Sequence, residues 1–244
     1  MAKQSGVGSR LWVGSVDLSG DIGAINSAET MRGTLPSTSI ADAAEARILG
    51  LRDGSLSFNA YWNTRDGQAH ATLSALPWTD VQCILAAGTP AVGSAGAAII
   101  AKQLGYAPAR GQDGSLLATV TAQANGYGLE WGQFLTASAQ TFASGSVNGT
   151  SVDGGASTSF GAAAYLNVLS LDSGTPTVTI QDSSDNSSFT AVTGMAFSPT
   201  GDSVARVQGA VNATVNRYVR VRVTGTYSGL VAVLLFVRYT EDPS

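Results

Sequence analysis

The chain has 244 residues, and only 12% of them are charged, about half of the usual globular share of roughly 25%. The net charge of −4 disfavours a nucleic-acid-binding protein, because neutralising phosphates takes clustered Lys and Arg side chains. The 29 glycines and the scarcity of charge predict a mainly β protein with a weakly polar surface. Such a surface is tolerated when partners cover it, so we expect self-assembly.

The first predicted element is a hairpin or bulged ribbon in RLWVGSVDLSGDI, around Gly14 and Gly20. The preceding N-terminal residues contain no apolar run long enough for a signal peptide, and no window of the sequence approaches a membrane span. We therefore expect the protein to stay in the cytoplasm in which it is made, without a membrane partner.

The segment from Gly23 to Ala46 shows no sustained hydrophobic period, which predicts a long loop. Loops of this length are uncommon in compact domains unless a partner orders them. We therefore predict an inter-subunit loop, whose candidate contact residues are the large apolar ones: Ile25, Met31, Leu35 and Ile40.

Two stretches, RDGSLSFNAYWN from Arg52 and QDGSLLATVTAQANG from Gln112, share one design. Each predicts a tight Asp-Gly-Ser turn followed by an alternating strand. In the first strand Leu56, Phe58, Ala60 and Trp62 would point to one side, and in the second strand Leu116, Ala118, Val120, Ala122 and Ala124 would do so. The opposite faces carry mainly small polar residues.

One short helix is predicted over Gln68 to Leu76, capped by Asp66 and ended by Pro77. The following VQCILAAG predicts a strand in which Cys83 is buried as a small apolar residue. The next apolar segment, AGAAIIAKQLGYAP, fits a strand or a helix equally well, because periodicity alone does not separate the two for such a run.

The amino-acid composition changes near Ala137, where small polar residues indicate a linker or the loop-rich start of a second unit. Beyond it, short strands recur at regular spacing: AYLNVLSL, TVTIQDS, RVQGAV, RYVRVRVTG and LVAVLLFVRY. This spacing predicts an antiparallel β-sandwich, in which Arg220 and Arg222 lie on the solvated face of their strand. We predict two domains, residues 1–137 and 138–244.

The sequence offers little for catalysis. His70 is the single histidine, and no Gly-x-Ser-x-Gly elbow supplies a nucleophile for it, so a packing or hydrogen-bonding role is expected. The segment DSSDNSSF, from Asp182 to Phe189, is rich in side-chain oxygen atoms but lacks the spacing of a calcium loop. An Asx-rich turn is the better interpretation. We expect no enzyme activity, no metal site and no cofactor.

Taken in order, GLRDGSLSFNAYWNTRDGQAHATLSALPWTDVQC and RGQDGSLLATVTAQANGYGLEWG resemble the major tail tube proteins of long-tailed, siphovirus-type bacteriophages. The resemblance covers roughly residues 1 to 137. The C-terminal YLNVLSLDSGTPTVTIQDSSDNSSFTAV and NRYVRVRVTGTYSGLVAVLLFVRY resemble surface β-sandwiches of phage structural proteins. The implied fold is a tail-tube-like β-sandwich with one short helix, followed by a C-terminal antiparallel β-sandwich.

The resemblance implies a virion protein that forms stacked, hexameric rings around a channel. The partners would then be further copies of the chain, a tape-measure protein and the transiting DNA, without sequence-specific nucleic-acid binding. The location would be the virion tail, assembled in the host bacterial cytoplasm. Candidate channel-facing residues are the small polar ones of the twin strands: Ser57, Asn59, Thr119, Thr121 and Gln123.

A second hypothesis is a capsid decoration protein or a receptor- or glycan-binding phage protein that uses the C-terminal sandwich. Sugar sites need exposed aromatic rings, and Tyr218, Tyr227, Phe236 and Tyr239 are candidates either for such a site or for the core. A glycan-degrading virion enzyme is a third and weaker hypothesis.

Overall fold

A computed structural model describes residues 5–241. The first four residues of the predicted N-terminal domain and the last three of the predicted C-terminal domain lie outside this part. Strands make up 54% of the described residues and helix 2%, against usual shares of about 20–25% and 30–35%. The fold is therefore mainly β, with antiparallel sheets and one short helix among the described residues.

The elements of the first half follow in chain order: β1 Arg10–Val13, β2 Val16–Asp17, β3 Ile22–Pro36, β4 Arg47–Tyr61, α1 Ala69–Leu73, β5 Val81–Ala86, β6 Ala95–Arg110, β7 Leu116–Ala124 and β8 Glu130–Phe134. Those of the second half are β9 Gln140–Thr141, β10 Val147–Asn148, β11 Val152–Asp153, β12 Ala162–Ser170, β13 Ser173–Gly174, β14 Thr177–Ser183, β15 Thr190–Phe197, β16 Ser203–Gln208, β17 Tyr218–Thr224, β18 Tyr227–Ser228 and β19 Val231–Arg238. Within residues 5–241 no helix is long and apolar enough to cross a membrane.

The described chain divides into two compact units. Unit 1 holds the residues up to Ser19, Ile84–Ala98 and those from Trp131 onward, and unit 2 holds Gly20–Cys83 and Ile99–Glu130. The predicted division into domains 1–137 and 138–244 stays a prediction. In unit 1, β8 pairs with β19. The predicted division therefore requires that a chain ending near residue 137 folds without β19.

Unit 1 contains the predicted C-terminal sandwich. One sheet includes β16, β12 and β19, and the other has the order β10-β17-β14-β15. Alternating residues of both sheets fill the space between them, such as Leu166 and Leu234 from one and Ile180 and Val221 from the other. The five strands predicted here are present, whereas β15 was not predicted because Gly194, at φ 79°, interrupts its pattern.

The N-terminal part of unit 1 is the predicted hairpin. β1 and β2 pair as Trp12 with Asp17 and Val13 with Val16. The turn between them uses Gly14 at φ 59°, a left-handed conformation that glycine adopts without steric cost. Trp12 is fully buried, and its ring meets Phe134 edge-on at 6.0 Å between centroids.

Unit 2 is built on strands paired in the order β3-β4-β7-β6, and β6 also pairs with β5 and β8. The three pairings within β3-β4-β7-β6 are antiparallel. Leu56, Phe58 and Ala60 of β4 are buried on one face with Ala118, Val120 and Ala122 of β7, as the alternation predicted. We call this side the core face. The ambiguous apolar segment is part of strand β6.

The predicted loop from Gly23 to Ala46 is wrong for most of its length. Ile25, Met31 and Leu35 lie in β3, and Ile40 lies in the connection from β3 to β4. None of the β3 side chains is fully buried, so the strand leaves no alternating apolar pattern in the sequence. Backbone pairing with β4 defines the strand instead.

The twin Asp-Gly-Ser motifs have different structures. The second forms the predicted turn, in which the Asp113 carboxylate accepts hydrogen bonds from the Ser115 amide and hydroxyl. The first lies inside β4 and is not a turn. Gly54 is required there because a Cβ would collide with the backbone of Leu129.

Helix α1 is shorter than predicted and is not capped by Asp66. The side chain of Asp21, from the start of β3, accepts a hydrogen bond from the Ala69 amide at 2.9 Å. At the other end the helix stops at Leu73, with Ser74 as its C-cap, three residues before the predicted end at Leu76. The predicted cap and C-terminal end are therefore corrected.

Candidate functional site: the hydroxyl face and the β3 edge

The predicted channel-facing residues lie together on the side of the unit 2 sheet opposite the core face. The β4–β7 register places Asn59 across from Thr119, Ser57 across from Thr121, and Ser55 across from Gln123. Cross-strand partners share a face. We call Ser55, Ser57, Asn59, Thr119, Thr121 and Gln123 the hydroxyl face. The channel role of this face stays a prediction.

Hydrogen bonds tie the hydroxyl face across three strands. The Thr119 hydroxyl and the Asn26 amide of β3 each donate to Asn59 Oδ1, both at 3.0 Å. At the other end the Gln123 amide donates to Asp53 Oδ1 at 2.8 Å. The centre of the face is therefore uncharged, ordered and rich in groups that water can hydrate.

Charge on the hydroxyl side of the sheet is sparse and acidic near β3. Glu29 pairs in register with Ser55, and Met31 pairs with Asp53, which puts both carboxylates on this side. The Lys102 ammonium of β6 is engaged by the Asp80 carboxylate at 2.7 Å. An uncharged surface with acidic flanks does not attract a phosphate backbone strongly.

Strand β3 forms an edge of the sheet, since its pairing among the described strands is with β4 alone. It is 15 residues long, its single proline is its last residue, Pro36, and it carries only two charged residues, Glu29 and Arg32, besides three register irregularities in its pairing with β4. Edge strands in stable monomers are usually short, charged or broken, because an open edge recruits other strands. The β3 edge therefore has the properties of a pairing surface.

Part of the β3–β4 hairpin extends beyond the rest of the sheet. β4 pairs with β7 from Ser55 onward, so residues 31–36 and 47–53 pair only with each other. We call residues 31–53 the arm. Its large apolar side chains are exposed: Leu35 60%, Ile40 108%, Ile48 59%, Leu49 63% and Leu51 91%. A two-stranded ribbon with an apolar surface is marginally stable alone in water.

Asp21 is a buried residue whose structural role at the start of α1 was not predicted from the sequence. Its side chain is 7% exposed, and its two carboxylate oxygens accept hydrogen bonds from the Ala69 amide and the Asn63 side chain, each at 2.9 Å. Its backbone carbonyl also accepts from the Tyr61 amide at 2.8 Å. Asp21 thus holds α1 to the start of β3 and the end of β4. The pattern of the sequence contains no signal that joins residues 48 positions apart.

His70 takes part in packing and hydrogen bonding on the core face of unit 2. Its Nδ1 atom lies 2.8 Å from the Tyr106 hydroxyl, and its ring stacks on Trp62 at 3.9 Å. Burial raises the pKa of Tyr106. Trp62, predicted to be buried, is 38% exposed, because it follows the end of β4 and lies against the His70 ring.

The candidate sites of the sandwich in unit 1 serve structural roles. Asp185 accepts hydrogen bonds from the amides of Ser187 and Ser188, which hold its pKa well below the usual range. Asp182 is buried and accepts from the Asn216 amide at 2.7 Å. DSSDNSSF is therefore the predicted Asx turn. Within residues 5–241 no group of three or more His, Cys, Asp or Glu side chains is placed to hold a metal ion.

The arginines of β17 lie on the face opposite Val219, Val221 and Val223, as predicted. The Arg220 guanidinium donates to Gln181 Oε1 at 2.9 and 3.0 Å and covers the Phe189 ring at 4.0 Å. The basic strand is thus bound to its own unit.

The aromatic residues considered for sugar binding are mostly buried. Tyr227 is 5% exposed, Phe236 3% and Tyr239 5%, so none of the three presents an open ring. A cavity of about 300 Å³ does open beside β12, β15 and β16. It is lined mainly by apolar groups such as Leu166, Phe197 and Pro199, without a charged side chain.

No protein-family model and no curated protein matches this sequence. Among solved structures, the chain is similar to the tail of an empty GTA particle with C6 symmetry, with a TM-score of 0.39 and 13% identity over 52% of this chain and 97% of that one. It is also similar to the SPP1 Dit protein, a hub of the adsorption apparatus in phages that infect Gram-positive bacteria, with a TM-score of 0.33 and 11% identity over 95% of this chain and 99% of that one. TM-scores this low do not establish a shared fold, and neither likeness assigns the chain to a family.

Proposed function

We propose that this chain is a non-enzymatic structural protein of a phage tail, and that its copies assemble into stacked, six-membered rings forming the tail tube. The observation that carries the proposal is the unit 2 sheet. It combines an uncharged hydroxyl face on one side with a core face on the other, and it ends in a long open edge at β3.

The sheet order supports ring closure by strand pairing. β3-β4-β7-β6 is an antiparallel order with an even number of strands. β6 also pairs with β5 and β8, so in this proposal β3 of one copy pairs with the part of β6 that runs along β7, residues 101–110, in the next copy. The antiparallel alternation is then preserved around the ring. A closed sheet removes every open edge. The hydroxyl faces of all copies would then form one continuous inner wall.

The chemistry of the hydroxyl face suits a channel for DNA. Hydroxyl and amide groups keep the wall hydrated, while the acidic side chains Glu29 and Asp53 lie on the same side of the sheet. Such a wall lets a polyanion slide because it offers no array of cations to hold phosphates. A tape-measure protein would occupy the same channel before the DNA passes.

The arm supports stacking of the rings. Its exposed apolar side chains, including Leu49 and Leu51, are buried between copies in the finished particle, since patches of this kind mark contact sites. In this proposal the predicted inter-subunit residues Ile25, Met31, Leu35 and Ile40 contact neighbouring copies through β3 and the arm.

The test is electron microscopy of the purified full-length chain over a range of concentrations. Wild-type protein should form rings or hollow rods. Replacing Leu49 and Leu51 by Ser should preserve the folded subunit and its rings but shorten or abolish the rods, because these side chains are exposed and add nothing to the core of a single copy. Wild-type protein that stays monomeric at every concentration, or forms solid aggregates without a channel, would overturn the proposal.

A further inference from the structure

Trp78 is 97% exposed, an unusual state for the side chain with the largest apolar surface. It belongs to the segment 74–80 between α1 and β5, in which Leu76 is 43% exposed and adopts φ 43°. Bulky residues rarely adopt this left-handed conformation. The loop therefore presents two large apolar side chains to solvent and holds one of them in a strained backbone conformation.

The loop is fixed rather than loosely attached. The Lys102 ammonium of β6 donates to the Trp78 carbonyl oxygen at 2.7 Å and pairs with the Asp80 carboxylate at 2.7 Å. Asp80 also accepts from the Asn125 side chain at 2.9 and 3.1 Å, and these contacts lower the pKa of Asp80. The Trp78 carbonyl and the Asp80 side chain are thus held to β6 and to Asn125 just after β7, which keeps this segment beside β6.

The neighbouring part of β6 adds a further exposed apolar side chain. Leu104, 63% exposed, lies where the β6–β7 register shifts between Gln103 and Gly105. The Gln103 amide donates to the Leu73 carbonyl at 2.6 Å, which ties this point of β6 to the end of α1. We call Leu76, Trp78 and Leu104 the Trp78 surface.

At the edge strand β3, apolar side chains on the core face are left partly uncovered. Ile25 and Ala28 of β3 pair in register with Phe58 and Leu56 of β4, so they point toward the core face. Phe58 and Leu56 are each 1% exposed, whereas Ile25 and Ala28 are only partly buried. The residues that bury the core face over β4 therefore do not extend over β3, which leaves Ile25 and Ala28 partly exposed.

We propose that the Trp78 surface of one copy packs against Ile25 and Ala28 of β3 in a second copy of this chain. The inference rests on the proposed ring, in which β3 of one copy lies next to β6 of another. Two different surfaces, one on β3 and the other beside β6, are the arrangement that head-to-tail assembly requires. Trp78 then acts as the anchor of the seam, since buried tryptophans carry much of the binding energy of interfaces.

The first experiment compares Trp78→Ala with Trp131→Ala, a matched truncation of a 49% exposed tryptophan in β8. Trp78→Ala should leave circular dichroism and thermal unfolding unchanged, yet raise the lowest concentration at which rings form by about 30-fold, as expected for an interface hot spot. Trp131→Ala should change this concentration less than about 3-fold.

The second experiment locates the partner. Mixing Trp78→Cys and Ile25→Cys proteins under mild oxidation should give a disulfide-linked pair, while Trp78→Cys mixed with Thr200→Cys should give none. Cys83 does not interfere, because burial raises its thiol pKa to about 12 and keeps it unreactive.

The outcomes separate this inference from the proposed function. If wild-type protein forms no rings, both are overturned. If wild-type and Trp78→Ala proteins form rings at the same concentration, or if Trp78→Cys fails to link to Ile25→Cys in assembled rings, the anchor is overturned while the ring stands.

Discussion

Placing positive charge on the hydroxyl face should turn a channel through which DNA slides into one that retains it. Thr119→Lys/Thr121→Lys changes two exposed residues of β7, about 7 Å apart along the strand. The protein loses one exposed hydrogen bond, from the Thr119 hydroxyl to Asn59. The free energy of unfolding should therefore fall by only about 1 kcal/mol, and the subunit should fold and assemble.

The effect on DNA is much larger because the ring repeats the change. Six copies add about twelve positive charges per ring, facing a duplex with about one negative charge per 1.7 Å. If about six phosphates are neutralised per ring, affinity should fall about 10³-fold between 0.05 and 0.2 M salt, because each neutralised phosphate contributes about 0.9 log units of affinity for every tenfold change in salt. Binding should therefore be strong at low salt and nearly lost at high salt.

The assay is co-sedimentation of a short labelled duplex with assembled particles across a salt series. Ala71→Lys/Ala75→Lys is the matched control, because it adds the same charge at exposed positions in and just after α1, on the other side of the sheet. Virions with the Thr119→Lys/Thr121→Lys change should have tails of normal length but eject DNA slowly, less so as ionic strength rises. Equal DNA binding by the two variants would refute the assignment of this face to the channel.

Two further predictions concern the described hydrogen bonds. Asp21→Ala should lower the free energy of unfolding by about 2–4 kcal/mol in urea titrations, because it leaves the buried Ala69 amide without its acceptor; a change below about 0.5 kcal/mol would contradict this role. Arg217 donates two hydrogen bonds of 2.7 Å to Asp153 and, as the main cause, lowers the pKa of that carboxyl to about 2. The pair therefore stabilises the fold above the ordinary carboxyl pKa of 3.8 and is lost as pH falls toward 2. In NMR titrations, Arg217→Gln should raise the midpoint of Asp153 toward 3.8, and an unchanged midpoint would show that Arg217 is not the cause.

Alternation made much of the unit 2 sheet predictable. The inward residues of β4 and β7 follow a period of two, and this pattern is present only because one face is buried. It identified Phe58 and Val120 as core residues and Thr119 and Thr121 as members of the opposite face, which the register confirms. The same reasoning predicted five strands of the sandwich, including β14 with its observed ends, but not β15.

The pattern failed where burial does not decide the structure. β3 has no fully buried side chain, so the sequence of its 15 residues resembles that of a loop. The cap of α1 failed for a different reason, since Asp21 reaches Ala69 across 48 residues. The exposed Trp78 was also missed, because apolar residues next to a predicted helix are normally assigned to the core.

The hydroxyl face was predictable in composition but not in role. Small polar residues at alternate positions predict a solvated face, and the register places these residues in rows. Their use as a channel wall depends on how several copies of the chain are arranged, and the sequence of one chain carries no pattern that predicts this arrangement. The assignment to a channel therefore stays a proposal.

The central claim is tested most directly by cryo-electron microscopy of assembled particles at a resolution that shows side chains. The account predicts six-membered rings in which β3 of one copy continues the sheet beyond β6 of the next, with Ser57, Thr119 and Thr121 facing an open axial channel. Particles in which these side chains face the outer surface or a subunit interface, or in which the β3 edge remains unpaired, would contradict it.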